Sequence, residues 1–114
     1  MSTALVAAWQ PQTADRILIA GDERALESIR EIVAGLHPKT RGQVFVEVAS
    51  AADIEPLQSP GRVTVTWLVR DRGQSLRRSV DAWLSEMLPV SVFTESTVYA
   101  WIAADGQARL LSSN

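Results

Sequence analysis

The sequence predicts a three-layer α/β domain in which helices flank a mainly parallel sheet with strand order 3-2-1-4. Two patterns lead to this prediction: short apolar runs alternate with amphipathic helical stretches, and the connections are long enough for right-handed crossovers. The 114 residues suffice for one hydrophobic core but not for two. We therefore expect a single α/β domain over residues 16–114, preceded by an N-terminal extension over residues 1–15.

The first strand and the first helix are predicted within residues 16–36. The apolar run at residues 16–20 is typical of a buried strand, and it ends at Gly21 and Asp22. Asp22 is suited to cap the following helix because its carboxylate can accept a hydrogen bond from a free backbone N–H. Apolar residues then recur at helical spacing as far as Leu36, and Gly35 and Pro38 mark the end of the helix.

The remainder of the chain predicts three more strands and another helix. Runs rich in β-branched and aromatic residues at 43–49, 63–69 and 97–103 indicate strands. Ser75 is suited to cap a helix whose apolar stripe begins at Leu76 and which is expected to stop at Pro89. Residues 105–111 are expected to begin a third helix.

This topology places a candidate site at the carboxyl ends of strands one and four. In an open α/β sheet, ligands bind where the strand order reverses direction, and here the reversal falls between these two strands. The expected lining consists of the residues that directly follow each strand. They are Gly21, Asp22 and Glu23 after strand one, and Ala104 and Asp105 after strand four.

Composition excludes several classes of function. The net charge of −2 and the pI of about 5.3 disfavour nucleic acid and anionic membrane as partners, because both attract basic surfaces. There are no cysteines, and the single histidine, His37, precedes Pro38 and is read as a surface residue at a helix end. We therefore expect no metal site and no histidine-activated serine. No apolar run approaches the ~20 residues of a membrane span and no signal peptide is visible, so a cytoplasmic location is expected.

Four segments of the chain resemble the C-terminal domain of siderophore-interacting proteins. The strongest is AGDERALESI at residues 20–29, which is similar to that family's strand-to-helix turn. FVEVA at 45–49, VTWLVR at 65–70 and VYAWIA at 98–103 resemble the next three strands in order and spacing. Together the four segments extend over about residues 15–110.

The resemblance implies a Rossmann-like, ferredoxin-reductase-like α/β domain that presents NAD(P)H to a flavin. The family's members are flavin-dependent reductases of ferric siderophores, in which a separate β-barrel holds the flavin. By this resemblance, NAD(P)H is the expected cofactor and Gly21, Asp22 and Glu23 belong to its site. FAD is not expected in this chain alone, and a separately encoded flavin-binding barrel is an expected partner.

The charged candidate residues are open to two interpretations each. Asp22 and Glu23 oppose a phosphate at the first loop, so the loop either caps the helix or binds nucleotide. Arg70 and Arg72, followed by two more arginines at positions 77 and 78, either bind an anion or form a solvated face paired with Asp71 and Asp81. Glu47 points either to the crevice or to the sheet edge. The three tryptophans after residue 60 are interpreted as core residues.

The fourth strand is predicted to be an unprotected sheet edge, since it carries neither charge nor proline. Either residues 3–9 add a strand there or two chains pair as a homodimer. Two functions follow from these predictions. The first is a nicotinamide-nucleotide-binding or redox-partner module, and the alternative is a non-catalytic interaction domain that has kept the fold and lost the nucleotide.

Overall fold

The computed structural model describes the backbone of residues 16–94, 98–104 and 107–113, and the side chains of residues 16–87 and 100–103. The strands are β1 (Arg16–Asp22), β2 (Arg41–Val48), β3 (Val63–Val69), β4 (Val98–Ala104) and β5 (Gln107–Ser113). The helices are α1 (Leu26–Ala34) and α2 (Leu76–Thr94), and short 3₁₀ turns lie at Glu23–Ala25, Ala51–Asp53 and Arg70–Arg72.

The strands form one sheet in the order β3-β2-β1-β4-β5. The first four are parallel, as predicted, and β5 runs antiparallel to β4. β1 lies at the centre, and its apolar residues from Ile17 to Ala20 are fully buried. A strand buried on both faces reads as a continuous apolar run, which is why residues 16–20 predicted it.

The two helices cover opposite faces of the sheet. Side chains alternate along β1, so Ile17 and Ile19 pack in one core cluster with α1, whereas Leu18 and Ala20 pack in a second cluster with α2. Because α1 follows β1 and α2 precedes β4, the connections at these adjacent strands lie on opposite sides of the sheet. This arrangement confirms the predicted three-layer α/β fold and its order 3-2-1-4.

Gly42 permits the close approach of β2 to β1. A Cβ atom added at Gly42 would overlap the Ile17 carbonyl oxygen and lie 2.7 Å from Ile17 Cγ1. The backbone φ of Gly42 is 157°, a value that L residues rarely adopt. Gly42 is therefore fixed by the packing of the two strands.

Two predictions about the C-terminal half are wrong. Residues 107–113 form β5 and not a helix, because they pair with β4 from Val98↔Ser113 to Ala104↔Gln107. Helix α2 continues past Pro89 to Thr94, since a proline removes only one backbone donor and need not end a helix.

The pairing of β4 with β5 also changes the argument about the sheet edge. β4 is not an exposed edge, because β5 covers it. The homodimer was predicted from an exposed β4 edge, and that reason no longer applies. The homodimer stays a prediction. The additional strand predicted at residues 3–9 lies outside the described residues. Within the described part of the chain, neither helix is long and apolar enough to cross a membrane.

Candidate functional site

The carboxyl ends of β1 and β4 lie side by side, and Gly21 is the register partner of Ala103. Gly21 packs tightly at this position. A Cβ atom on Gly21 would lie 3.0 Å from both Ala25 Cβ and Ile29 Cδ1, and 3.2 Å from the Ala103 carbonyl oxygen. The glycine therefore lets α1 start directly against β1, and its packing explains its presence without a ligand.

Asp22 caps the turn that leads into α1. The residue is only 6% exposed, and its Oδ1 accepts a hydrogen bond of 3.0 Å from the backbone N–H of Arg24. The Arg24 guanidinium also donates to the Asp22 carboxylate, with the shortest contact 2.6 Å from Nη2 to Oδ2. Burial disfavours the charged form, but the hydrogen bonds and charge of Arg24, together with the charge of Arg70, hold the pKa of Asp22 below its usual value. The predicted capping role is confirmed.

Arg70 joins the ends of three neighbouring strands. Its Nη2 donates to both carboxylate oxygens of Glu23 at 2.7 and 2.8 Å, and its Nη1 donates to Glu47 Oε1 at 2.8 Å. The hydrogen bonds from Glu23 and Glu47 raise the pKa of Arg70, so the guanidinium stays charged at every physiological pH. This network links the residues that follow β1 and β3 to a residue near the end of β2.

Glu47 also holds the beginning of α2. Its Oε2 accepts a hydrogen bond of 2.7 Å from the backbone N–H of Leu76, the first residue of the helix. The side chain is only 16% exposed and carries a negative charge at the positive end of the helix dipole. Of the two orientations left open by the sequence, Glu47 therefore points to the carboxyl ends of the strands and not to a sheet edge. The Oγ of Ser75 also accepts a longer hydrogen bond of 3.4 Å from the backbone N–H of Arg78.

Three exposed arginines near the start of α2 have no ionic partner among the described residues. Arg72 lies in the 3₁₀ turn after β3, and Arg77 and Arg78 lie in the first turn of α2. The local partners predicted from the sequence, Asp71 and Asp81, do not form these ion pairs. Arg70, the remaining arginine of the group, is paired with Glu23 after β1 and with Glu47 in β2, and not with Asp71 or Asp81.

The remaining predicted residues fall in different places. Ala104 ends β4, where its backbone pairs with Gln107, whereas Asp105 lies outside the described residues. Trp101 is fully buried, and Trp67 and Trp83 are partly buried against the two core clusters. The interpretation of these tryptophans as core residues holds best for Trp101. His37 is exposed and its Nδ1 accepts a hydrogen bond of 3.0 Å from the backbone N–H of Lys39.

The charges around the carboxyl ends separate into two regions. Asp22 and Glu23 after β1 are ion-paired with Arg24 and Arg70, whereas the arginines at the start of α2 have no ionic partner among the described residues. Within the described residues, no three histidine, cysteine, aspartate or glutamate side chains could share a metal ion. The arrangement can therefore orient a molecule that has an anionic end and an uncharged or cationic end.

The sequence interpretation missed the joint role of Glu23, Glu47 and Arg70. Each residue was singled out separately, but their contact spans 47 positions along the chain. The predicted order 3-2-1 contained the needed signal, because these residues fall near the ends of adjacent parallel strands. Opposite charges at the ends of neighbouring strands favour pairing.

Comparison with known proteins identifies the relatives of this chain. Residues 14–110 match the sequence model of the siderophore-interacting proteins. The ferric vibriobactin reductase ViuB of Vibrio cholerae is 32% identical over 97 residues, which cover 85% of this chain and 35% of that protein. An uncharacterized protein of Mycobacterium tuberculosis is 32% identical over 99 residues, with 83% and 35% covered. The chain thus spans about a third of the length of these curated relatives.

Two solved structures share the fold. The siderophore-interacting protein SipS from Aeromonas hydrophila has a TM-score of 0.54 and 23% identity, and the match covers 82% of this chain and 38% of SipS. A siderophore utilization protein from T. fusca has a TM-score of 0.55 and 20% identity, with 81% and 46% covered.

Proposed function

Since the chain belongs to the siderophore-interacting protein family, we propose that its α/β domain binds a nicotinamide nucleotide and presents it to a flavin in ferric-siderophore reduction. The observation that carries the proposal is that three arginines without an ionic partner among the described residues lie beside a first loop whose charges are paired. A dinucleotide has an anionic phosphate part and a nicotinamide ring without negative charge, and both kinds of surface occur at this end of the sheet.

The first loop does not suit the phosphates. Asp22 already occupies the N–H of Arg24, and Glu23 adds a second negative charge. Ala25 and Ile29 pack against Gly21, so its backbone leaves no space in which an anion could bind. Phosphate groups are repelled at this loop, so a nucleotide that binds here must place them elsewhere.

The start of α2 suits the phosphates better. Arg72, Arg77 and Arg78 would hold them by charge-assisted hydrogen bonds. The nicotinamide would then lie outside the adjacent ends of β1 and β4, at Gly21 and Ala103. Four strands lie side by side from β3 to β4, so the site extends over about 14 Å, a distance that an extended dinucleotide can span.

In this proposal the protein binds and orients, and the bound cofactor supplies the hydride. Hydride transfer requires the acceptor to be held in near contact. The flavin-binding partner is expected to provide that acceptor, so reductase activity should require both components.

A titration of the protein with NADPH and NADH by calorimetry tests the proposal. We expect saturable binding in the micromolar range for at least one nucleotide, and an affinity at least tenfold lower for the double variant Arg77→Gln/Arg78→Gln. Arg30→Gln is the control, because Arg30 is a partly exposed arginine on α1 that contacts Glu55 at 3.4 Å and the Pro56 carbonyl oxygen at 3.1 Å. Absence of binding at millimolar nucleotide, or equal losses in control and double variant, would contradict the proposal.

A second candidate function is a non-catalytic interaction domain. The ion pairs of Arg70 favour it, because this arginine is already neutralised by Glu23 and Glu47 and is not available to a nucleotide. This function predicts that the protein forms a hetero-complex or a homodimer and does not bind nucleotide, whereas the first function predicts nucleotide binding. Analytical ultracentrifugation together with the same titration separates the two candidates.

A further inference from the structure

Three arginines lie in one row across the opposite, amino-terminal ends of the strands. Arg16 begins β1 and Arg41 begins β2, and the two are register partners in the parallel ladder. Arg62 directly precedes β3, and its carbonyl oxygen accepts a hydrogen bond of 3.2 Å from the N–H of Gly42. Because neighbouring strands are about 4.8 Å apart, three arginines lie within roughly 10 Å of one another along the amino-terminal ends of the strands.

The three side chains share one face of the sheet. Register partners on parallel strands point to the same side, and alternation along β1 puts Arg16 on the side of Leu18, which packs in the cluster with α2. The Nη1 of Arg16 accordingly contacts Met87 Sδ of α2 at 3.3 Å. The row therefore faces α2, on the side of the sheet opposite to α1.

This row borders a cavity of about 380 Å³, a volume within the range of small-molecule sites. The arginines form its basic side, and Gln43 and Thr64 add polar groups from β2 and β3. Trp83 contributes a partly buried indole from α2. The cavity thus combines cations, neutral hydrogen-bonding groups and one aromatic surface.

The positive charge of the cavity is not compensated within the described residues. None of the described carboxylates lies within ion-pair distance of the three arginines, although Arg24, Arg30 and Arg70 all have such partners. Like charges at facing positions of a sheet are destabilising. In addition, the Nε of Arg16 is shielded from solvent and has no hydrogen-bond acceptor among the described residues. Within this part of the chain, the row has no carboxylate partner and leaves one buried donor without an acceptor.

We propose that this cavity is a binding site for a small phosphate-bearing anion, separate from the nucleotide site proposed above. Guanidinium groups bind phosphate oxygens through paired, charge-assisted hydrogen bonds, and a row of three offers more donors than one phosphate requires. Di- or polyphosphate groups fit the length of the row best. The indole of Trp83 provides a surface on which a base attached to the phosphates can stack.

The test uses calorimetric titration of the whole chain with pyrophosphate and with ADP at low ionic strength. We expect saturable binding that weakens at least tenfold in Arg41→Gln and in Arg62→Gln, and changes less than twofold in Arg30→Gln on α1, which covers the opposite face of the sheet. Tighter binding of ADP than of pyrophosphate, lost in Trp83→Leu, identifies a nucleotide, whereas equal affinities identify the phosphate groups alone; both results support the site. Absence of binding, or equal weakening in Arg30→Gln, overturns it.

Thermal unfolding provides a second readout that a purely structural role would not produce. Without ligand at low salt, Arg41→Gln should raise the unfolding temperature, because it relieves repulsion, and should abolish the further increase that pyrophosphate gives the unchanged protein. A lower unfolding temperature for both Arg41→Gln and Arg62→Gln would show that the arginines stabilise the fold themselves and would contradict the proposal. Because these substitutions leave the carboxyl ends of the strands unchanged, the amide signals of Gly21 and Ala103 during an NADPH titration test the previous proposal separately.

Discussion

Replacement of Glu47 by glutamine tests the network that holds the carboxyl ends of the strands. Glu47 accepts one hydrogen bond from the Arg70 guanidinium and one from the N–H of Leu76, each through a different oxygen. Glutamine has the same shape but only one acceptor oxygen, so one of the two donors would face the amide NH₂. A partly buried charged hydrogen bond is lost, which costs about 1.5–3 kcal/mol.

Glu23→Gln is the matched control because Glu23 bonds to the same arginine. Its side chain is 41% exposed, against 16% for Glu47, and exposed ion pairs contribute only about 0–1 kcal/mol. With an unfolding entropy of about 2.1 cal/mol/K per residue and 114 residues, 1 kcal/mol corresponds to about 4 °C. We therefore expect a decrease in Tm of about 6–12 °C for Glu47→Gln and of less than about 4 °C for Glu23→Gln.

The assay is urea and thermal denaturation of both variants at pH 7, monitored by tryptophan fluorescence and circular dichroism. Two further variants complete a double-mutant cycle, namely Arg70→Gln and its combination with Glu47→Gln. The cycle should show coupling, because Glu47 and Arg70 share a direct hydrogen bond. Glu47→Gln should still destabilise the Arg70→Gln variant, because the contact of Glu47 with Leu76 persists when Arg70 is removed. Equal and small effects of the two glutamate substitutions would refute the assignment of Glu47 as the residue that fixes the start of α2.

Three other predictions concern the fold and the first loop. Asp22→Ala should destabilise the protein by about 1–2 kcal/mol in urea denaturation, since the capping bond to Arg24 is lost, and a change below 0.5 kcal/mol would contradict the cap. Because the pKa of Asp22 is lowered in the folded state, its ionised form stabilises the protein above about pH 4, and that stabilisation should disappear as the pH falls through the folded pKa. The stability difference between the protein and Asp22→Asn, measured by urea denaturation from pH 7 to pH 2.5, should therefore be constant above about pH 5 and shrink below it. A difference that grows as the pH falls would contradict the lowered pKa of Asp22. Gly42→Ala should cost on the order of 3 kcal/mol or more or prevent folding, as seen by circular dichroism, because its Cβ would overlap the backbone of Ile17.

The sequence predicted most of the fold because β1, β2 and β3 are apolar runs bounded by polar or turn residues. The third strand has the predicted bounds, Val63–Val69, whereas β1 extends two residues further than its apolar run. Gly21 and Asp22 continue the ladder although neither favours strands by itself. Pairing with neighbouring strands determines where a strand ends, and the local composition of the chain does not reveal that pairing.

The C-terminal strand was missed for the same physical reason. Residues 107–113 read QARLLSS, and glutamine, alanine, arginine and leucine are good helix formers. In the folded chain they pair along the whole of β4, so tertiary hydrogen bonding overrides the local preference. At the site, single residues such as Asp22 and Glu47 were recognisable from their positions after or within strands. The bond of Glu47 to Leu76 was not, because it joins residues 29 positions apart.

NMR mapping of backbone amides tests whether a nicotinamide nucleotide binds at the carboxyl ends of the strands. Titration of ¹⁵N-labelled protein with NADPH should shift the amide signals of Gly21 and Ala103 at the crevice and of Arg77 and Arg78 at the start of α2. The signal of Ile32 near the end of α1, away from both proposed sites, should stay unchanged. No shift at Gly21, Ala103, Arg77 and Arg78 at millimolar NADPH would show that the nucleotide does not bind at the carboxyl ends.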